Sequence, residues 1–212
     1  MSEPAYRRMQ VDERRAQLLA LGADLFARFS YDELSMARIA REAGISKALL
    51  YHYFPGKQAY FAATLEEMAA ELATLTEPDP ALPPREQLVH SLDAFLAWVD
   101  DHRDAYGKLV RSAAVIPEVR EVVDRVRDAT SERILAGIGA GTTPPALRTA
   151  VRAWLWFMDG AILDWVERRD LTREQLGQLL LGTLLGAIGA AEPGALRAVG
   201  GPRGADGAGG AG

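Results

Sequence analysis

The segment SMARIAREAGISKALLYHYFPGK, Ser35–Lys57, decides the fold of the N-terminal part of the chain. Ser35 and Ser46 each precede a short run of helix-forming residues, where a serine oxygen can accept a hydrogen bond from the first free N–H groups of a helix. Gly44 can adopt the positive φ that ends the first run, and Pro55 stops the second. Two helices of about two turns joined by a short glycine-containing turn predict a helix-turn-helix motif.

The second predicted helix, 47–53, has one side that faces inward and one that faces outward. An advance of 100° per residue puts Leu50 and Phe54 on one side and Ala48 and His52 on the other. Such a helix fits the major groove of DNA, where outward side chains contact bases while tyrosine and lysine side chains donate to phosphates. The predicted DNA-contacting residues are Ser35, Ser46, Lys47, Ala48, Leu49, Tyr51, His52, Tyr53 and Lys57.

The same segment resembles the DNA-binding signature of the TetR family of bacterial transcriptional regulators. The matching residues are Ile39-Ala40, Ala43-Gly44-Ile45-Ser46, Leu50-Tyr51-His52-Tyr53-Phe54 and Lys57. Ala48-Leu49 stands where the family usually has Gly-Thr, a difference that concerns the operator sequence and not the fold. The resemblance implies a ligand-responsive repressor that binds a palindromic operator as a homodimer through its last two helices.

Composition restricts the remaining function classes. The chain has 212 residues and no cysteine, so disulfides, zinc-thiolate sites and cysteine nucleophiles are excluded. Its net charge is −5, but residues 1–57 carry 9 Lys/Arg against 7 Asp/Glu, so this end is basic and the excess of acid lies beyond it. No signal-peptide pattern opens the chain, which predicts a cytoplasmic protein, and Leu176–Ala191 is short for a membrane span.

The hydrophobic pattern predicts an all-α protein with nine helices, the first starting near Val11. No stretch alternates with the period of two that is typical of strands. The predicted organisation is a DNA-binding domain at 10–57, a helical effector-binding and dimerisation domain at 58–191, and a disordered tail rich in Gly, Ala and Pro at 192–212.

The last predicted helix contains several glycines, each of which costs about 1 kcal/mol relative to alanine inside a helix. Close approach of another helix would offset that cost, and the resemblance places the dimer interface here. The alternative is that the last two helices pack only within their own chain. The four glycines are Gly177, Gly182, Gly186 and Gly189.

Aromatic residues in the central part of the chain indicate a ligand pocket. TetR-like proteins typically bind a small ligand in this region, and an apolar pocket with a few polar groups suits a small apolar or aromatic effector. The alternative for each ring is that it fills the core. The predicted pocket residues are Trp98, Tyr106, Arg111, Trp154 and Phe157, and no cofactor or metal is predicted.

Two other function classes remain open. An architectural or partner-recruiting DNA-binding protein without an effector would carry the same motif. The segment 100–104, Asp-Asp-His-Arg-Asp, matches the Asp-Asp-x-x-Asp pattern by which isoprenoid synthases hold magnesium. The chain is short for that enzyme fold and has no second metal-binding motif, so an enzyme is not predicted.

Overall fold

The computed structural model describes residues 3–139 and 143–195, with side chains described from residue 11 onward. Every regular element in these ranges is an α-helix, which confirms the all-α prediction. The helices are α1 Glu3–Arg28, α2 Met36–Glu42, α3 Lys47–Tyr53, α4 Lys57–Leu75, α5 Pro84–Asp101, α6 Arg103–Ala113, α7 Pro117–Ile138, α8 Pro145–Arg168 and α9 Arg173–Ala191.

The helical part of the chain extends further than predicted at both ends. Helix α1 begins at Glu3 instead of near Val11, and Pro4 falls in its first turn, a position where a helix tolerates proline. At the other end, residues 193–195 are helical and Ala195 is buried, although the segment from 192 onward was predicted to be disordered. The rest of that predicted tail lies outside the described residues.

The described residues form two compact units, and the chain passes between them more than once. Unit 1 contains Met1–Leu75 and Trp98–Val126, and unit 2 contains Thr76–Ala97 and Arg127–Gly212. The predicted DNA-binding domain, residues 10–57, lies within unit 1. Helix α1 packs against both α4 and α6, and Ala113 of α6, together with Val119 and Val122 of α7, belongs to the same hydrophobic core as the helix-turn-helix.

Helices α1 and α4 cross closely at Gly22. A Cβ atom at this position would lie 2.9 Å from Cγ2 of Thr64 and 3.0 Å from the hydroxyl of Tyr60. The Tyr60 hydroxyl donates to the carbonyl of Leu18 at 2.7 Å, which ties the two helices together. Burial raises the pKa of Tyr60. The close crossing therefore depends on the missing side chain of Gly22.

Unit 2 is built around the pairing of α8 with α9. The indole N–H of Trp154 on α8 donates to the carbonyl of Leu180 on α9 at 3.0 Å. Thr172 begins α9 with a capping box, in which its side chain and that of Gln175 each accept from the other's backbone N–H. Both helices carry buried aliphatic side chains: Val151, Leu155, Ile162, Leu176, Leu184 and Ile188.

Helices α8 and α9 also carry exposed apolar side chains. Trp156 is 62% exposed, and Phe157 and Leu179 are also exposed. Apart from the adjacent residues and the neighbouring backbone of α9 itself, no described atom lies within 4 Å of the position that a Cβ would take at Gly182 or Gly186. Within the described ranges, no helix is long and apolar enough to cross a membrane.

Candidate functional site

Serine hydroxyls fix the beginnings of α2 and α3. Ser35 Oγ accepts from the backbone N–H of Arg38 at 3.2 Å, and Ser46 Oγ accepts from that of Leu49 at 3.1 Å. Both serines have extended backbone conformations, as residues that cap a helix do. Two of the predicted DNA-contacting residues thus set where the two short helices begin.

The turn between α2 and α3 is closed by two backbone hydrogen bonds. Gly44 has φ +65°, and its N–H donates to the carbonyl of Arg41 at 3.1 Å. The N–H of Ile45 donates to the carbonyl of Ala40 at 3.0 Å, which completes a Schellman motif. Because only glycine adopts this φ at little cost, Gly44 fixes the direction in which the chain leaves α2.

Helix α3 is anchored to unit 1 on one side only. Leu50 and Phe54 are almost fully buried, at 0% and 2% exposure. The ring of Phe54 meets that of Tyr60 edge to face, with 4.9 Å between centroids. Two buried residues four apart therefore hold a helix of seven residues against the core.

The other side of α3 is exposed and carries no acidic residue. Lys47 Nζ lies 5.7 Å from the ring centroid of Tyr51, within the range of a cation–π contact. Tyr53 is half-buried, and its ring meets that of His52 at 5.5 Å. The predicted outward residues are all exposed: Lys47, Ala48, Leu49, Tyr51 and His52.

Lys57 begins α4 and is held by the turn that precedes α2. Its Nζ donates to the carbonyl of Tyr31 at 2.9 Å and lies 3.9 Å from the centroid of the Tyr31 ring. The side chain is half-buried. A lysine ammonium has three donors, so the bond to Tyr31 leaves capacity for the phosphate contact predicted from the sequence.

A cavity of about 190 Å³ lies within unit 1. It is bounded by α1, α4, the end of α5 and α6, and most of its wall is apolar. The lining includes three of the predicted pocket residues, Trp98, Tyr106 and Arg111. The other lining residues are Phe26, Phe29, Ser30, Tyr31, Phe61, Leu65, Met68, Ala105, Lys108, Leu109 and Ser112.

The charged groups of the cavity wall are two cations on α6. Lys108 Nζ donates to the carbonyl of Ala27 at 2.5 Å. Arg111 is exposed, so it lies at the solvent edge of the cavity. A Cβ at Gly107 would lie 2.9 Å from a terminal nitrogen of Arg111, so this glycine leaves room for the guanidinium.

The phenol of Tyr31 lies on the cavity wall as well. Burial, followed by the negative charges of Glu118 and Asp32, raises the pKa of Tyr31. The hydroxyl is therefore protonated near neutral pH and can donate a hydrogen bond.

The two remaining predicted pocket residues belong to unit 2 and do not line this cavity. Trp154 is buried, and its indole N–H is used in the contact with α9 described above. Phe157 is 43% exposed on the outer side of α8. Three of the five predicted pocket residues therefore line the cavity, and two do not. Phe26, Phe61 and Lys108 were not predicted as pocket residues, since nothing local distinguishes them from core or surface positions.

Asp100 and His102, in the acidic pattern at 100–104, make local contacts. Asp100 Oδ1 accepts from Nε of Arg103 at 2.7 Å, and the ring of His102 stacks on Trp98 with 4.6 Å between centroids. Over the part of the chain that the structure describes, no group of three or more His, Asp or Glu side chains could hold a metal ion.

Two capped helices, a closed glycine turn and an exposed second helix define a helix-turn-helix protein. The family described as "Bacterial regulatory proteins, tetR family" matches residues 18–64. A second family, "Tetracyclin repressor-like, C-terminal domain", matches residues 84–186. A solved TetR-family transcriptional regulator from Streptomyces coelicolor is 31% identical, with a TM-score of 0.76 over 89% of this chain and 87% of that one. The chain belongs to the TetR family.

Two curated relatives are similar over shorter segments. The HTH-type transcriptional regulator HbdR of Aromatoleum sp. (strain CIB) is 30% identical over 133 residues, which are 59% of this chain and 56% of HbdR. The HTH-type transcriptional activator FasR of Mycolicibacterium smegmatis is 28% identical over 134 residues, 60% of this chain and 59% of FasR. The chain thus spans little more than half the length of the curated relatives it matches.

Proposed function

We propose that this protein is a sequence-specific DNA-binding transcriptional regulator that places α3 in the major groove. The observation that carries the proposal is the exposed side of α3, which has a lysine, a histidine and a tyrosine and no acidic group. The family match over this segment supports the same function. A protein that binds operator DNA in a bacterium acts in the cytoplasm, so the proposal includes that location.

The proposed contacts follow from the chemistry of each exposed group. Lys47 donates to guanine O6 or N7, small Ala48 allows close approach, and Leu49 contacts a thymine methyl. Tyr51 and His52 lie on the same exposed side and complete the base-facing surface.

A second group of residues is proposed to contact phosphates and to fix the register of α3 in the groove. Tyr53 and Lys57 donate to phosphate oxygens. Ser35 and Ser46 each retain a hydroxyl proton while the oxygen accepts the capping bond, so both can donate to a phosphate at the start of their helix.

We further propose that two copies associate through the exposed side of the α8–α9 pair. Exposed Trp156 and Leu179 supply apolar area, and the open space at Gly182 and Gly186 permits close approach of a second helix pair. A two-fold symmetric dimer presents two copies of α3 to the two halves of a palindromic operator.

The unit 1 cavity is the proposed effector site, with Trp98, Tyr106 and Arg111 as ligand residues. Tyr31 lines the cavity, and its carbonyl also holds Lys57, a proposed phosphate contact. A bound effector that displaces Tyr31 therefore alters Lys57 and lowers DNA affinity, which is the behaviour of a ligand-released repressor.

Selection of duplexes from a random library by the purified protein tests the main proposal. We expect enrichment of a palindromic sequence and affinity that falls steeply with salt. Equal binding to all duplexes, or none at low ionic strength, would refute it. Repressor and activator are separated by transcription in vitro from a promoter that carries the selected site. If no small apolar or aromatic compound changes DNA affinity, the protein is an architectural DNA-binding protein without an effector.

A further inference from the structure

The turn between α1 and α2, residues 29–34, borders the unit 1 cavity and also contacts the helix-turn-helix. Three of its residues, Phe29, Ser30 and Tyr31, line the cavity. The turn is closed by its own hydrogen bonds, because the backbone N–H and the hydroxyl of Ser30 each donate to the Glu33 carboxylate at 2.8 Å. The turn is therefore one compact piece of the cavity wall that lies outside the helices.

Two rings of the α1–α2 turn are each in contact with a cation from a helix that supports α3. The guanidinium carbon of Arg38, on α2, lies 3.8 Å from the centroid of the Phe29 ring. Lys57, at the start of α4, lies 3.9 Å from the centroid of the Tyr31 ring. Both distances are well within the range of a cation–π contact. Because α2 and α4 both contact α3, the two rings connect the cavity to the supports of the DNA-contacting helix.

The α1–α2 turn is the part of the aromatic wall that can move at least cost. Phe29 and Tyr31 are half-buried and lie outside the helices. Phe26, Phe61 and Tyr106 are buried within α1, α4 and α6. A segment with fewer buried contacts opens at a lower free energy than a helix that is packed in the core. A ligand that needs more room than the cavity provides therefore displaces the turn first.

The size of the cavity determines when the turn must move. An apolar cavity of about 150 Å³ accommodates benzene. The unit 1 cavity measures about 190 Å³, so one ring fits within it. Two fused rings need roughly 250 Å³ in the same proportion of volume to carbon atoms. A two-ring ligand can therefore enter only if part of the wall gives way.

We infer that the α1–α2 turn couples the cavity to DNA binding, and that a ligand acts when it is large enough to displace Phe29 and Tyr31. Displacement of Phe29 releases Arg38 and thereby α2, in addition to the effect of Tyr31 on Lys57. This inference rests on the proposed role of the cavity as the effector site. Because coupling between two sites is reciprocal, bound DNA should weaken ligand binding by the same factor.

Benzene and naphthalene, which are both apolar and differ in size, test the inference on the full-length protein. Calorimetry measures the binding of each compound, and fluorescence anisotropy measures affinity for the selected duplex with each compound at saturation. We expect naphthalene to lower the DNA affinity of the parent about tenfold, and benzene to bind with an effect below about twofold.

Two variants break the contact between Phe29 and Arg38 from opposite sides. Phe29→Leu removes the ring, and Arg38→Met removes the guanidinium without changing the cavity wall. In each variant the effect of naphthalene should fall to about threefold, because the contact of Tyr31 with Lys57 remains. The double variant should respond like either single variant, since both remove the same contact. Arg41→Met, an exposed arginine of α2, is the matched control and should keep the response of the parent.

The outcomes separate the turn, the cavity and the DNA-binding function. If naphthalene binds and DNA affinity stays unchanged, or if Arg38→Met responds like the parent, the inference is overturned and the cavity remains a binding site. An equal effect of benzene and naphthalene overturns displacement by size. Failure of both compounds to bind overturns the inference together with the cavity site, while selection of an operator would still support the DNA-binding function.

Discussion

The methyl group of Thr64 on α4 lies 2.9 Å from the position that a Cβ would take at Gly22 on α1. Both residues are buried, so neither helix can move aside without disturbing the core of unit 1. Gly22→Ala should therefore destabilise the protein by about 1–3 kcal/mol, the usual cost of overpacking. Urea unfolding followed by circular dichroism measures the change.

The same substitution in an open position is the control for Gly22→Ala. Gly137 is exposed near the end of α7 with no described atom within 4 Å of its Cβ position, so Gly137→Ala should be neutral or slightly stabilising. Adding Thr64→Ala to Gly22→Ala should recover part of the lost stability, because it removes the nearest obstruction. Unfolding midpoints that are equal for Gly22→Ala and Gly137→Ala would contradict the close crossing.

The buried hydroxyl of Tyr60 makes stability sensitive to alkaline pH. Burial raises the pKa of Tyr60 above its ordinary value of 10.0. The unfolded chain therefore loses this proton at lower pH than the folded chain, and the free energy of unfolding falls as pH rises above about 10. Tyr60→Phe should lose about 0.5–1.5 kcal/mol at neutral pH with the bond to Leu18 and show a shallower alkaline decline. Parallel alkaline curves for the parent and the variant would refute this account.

Lys57 is expected to contribute to DNA affinity without regard to sequence. Lys57→Ala should weaken binding to all duplexes and reduce the slope of log affinity against log salt by about one. Because Lys57 also holds Tyr31, the variant needs a structural control. Tyr31→Leu removes the ring contact and keeps the cation, so its salt slope should match that of the parent. An unchanged slope for Lys57→Ala would assign Lys57 a structural role only.

Lys47 is expected to determine preference at one base pair. Its side chain is exposed at the first turn of α3, where a groove-bound helix approaches base edges. Lys47→Ala should cost about 1–3 kcal/mol at a single position of the selected site and change little elsewhere. Duplexes with each base substituted in turn, measured by fluorescence anisotropy, locate that position. Should the variant discriminate among them as the parent does, Lys47 does not contact a base.

The outer side of α9 is expected to be the dimer interface. Gly182→Leu places a large side chain where close approach is proposed and should convert the protein to a monomer in sedimentation velocity experiments. Gly137→Leu, an exposed glycine of α7, is the matched control and should stay dimeric. A parent protein that sediments as a monomer, or a dimeric Gly182→Leu variant, would exclude this interface.

The helix-turn-helix could be predicted in detail because its determinants are local. Ser46 Oγ accepts a hydrogen bond from the backbone N–H of Leu49, three residues further on, and Gly44 adopts the positive φ that the turn requires. Leu50 is buried as its helical spacing from Phe54 predicts. Each of these contacts joins residues that are only a few positions apart, so the local sequence is sufficient to predict it.

The cavity could not be predicted in the same way, because its wall comes from distant parts of the chain. Phe26, Phe61 and Tyr106 meet only when α1, α4 and α6 pack together, and each has the pattern of an ordinary core residue. Trp154 is the converse case, because it is predicted to be a pocket residue but does not line the cavity. Its ring suggested a ligand contact, but its indole N–H is bonded to Leu180, a partner that sequence spacing does not reveal.

The route of the chain through its two compact units restricts how this protein can be divided. The polypeptide leaves unit 1 after Leu75 and enters it again at Trp98, so a single cut cannot yield two intact pieces. A fragment that stops at Leu75 lacks Val119 and Val122, which belong to the same hydrophobic cluster as Leu50 of α3. Chimeric regulators built by exchanging the DNA-reading part of this chain must therefore transplant residues 98–126 along with it.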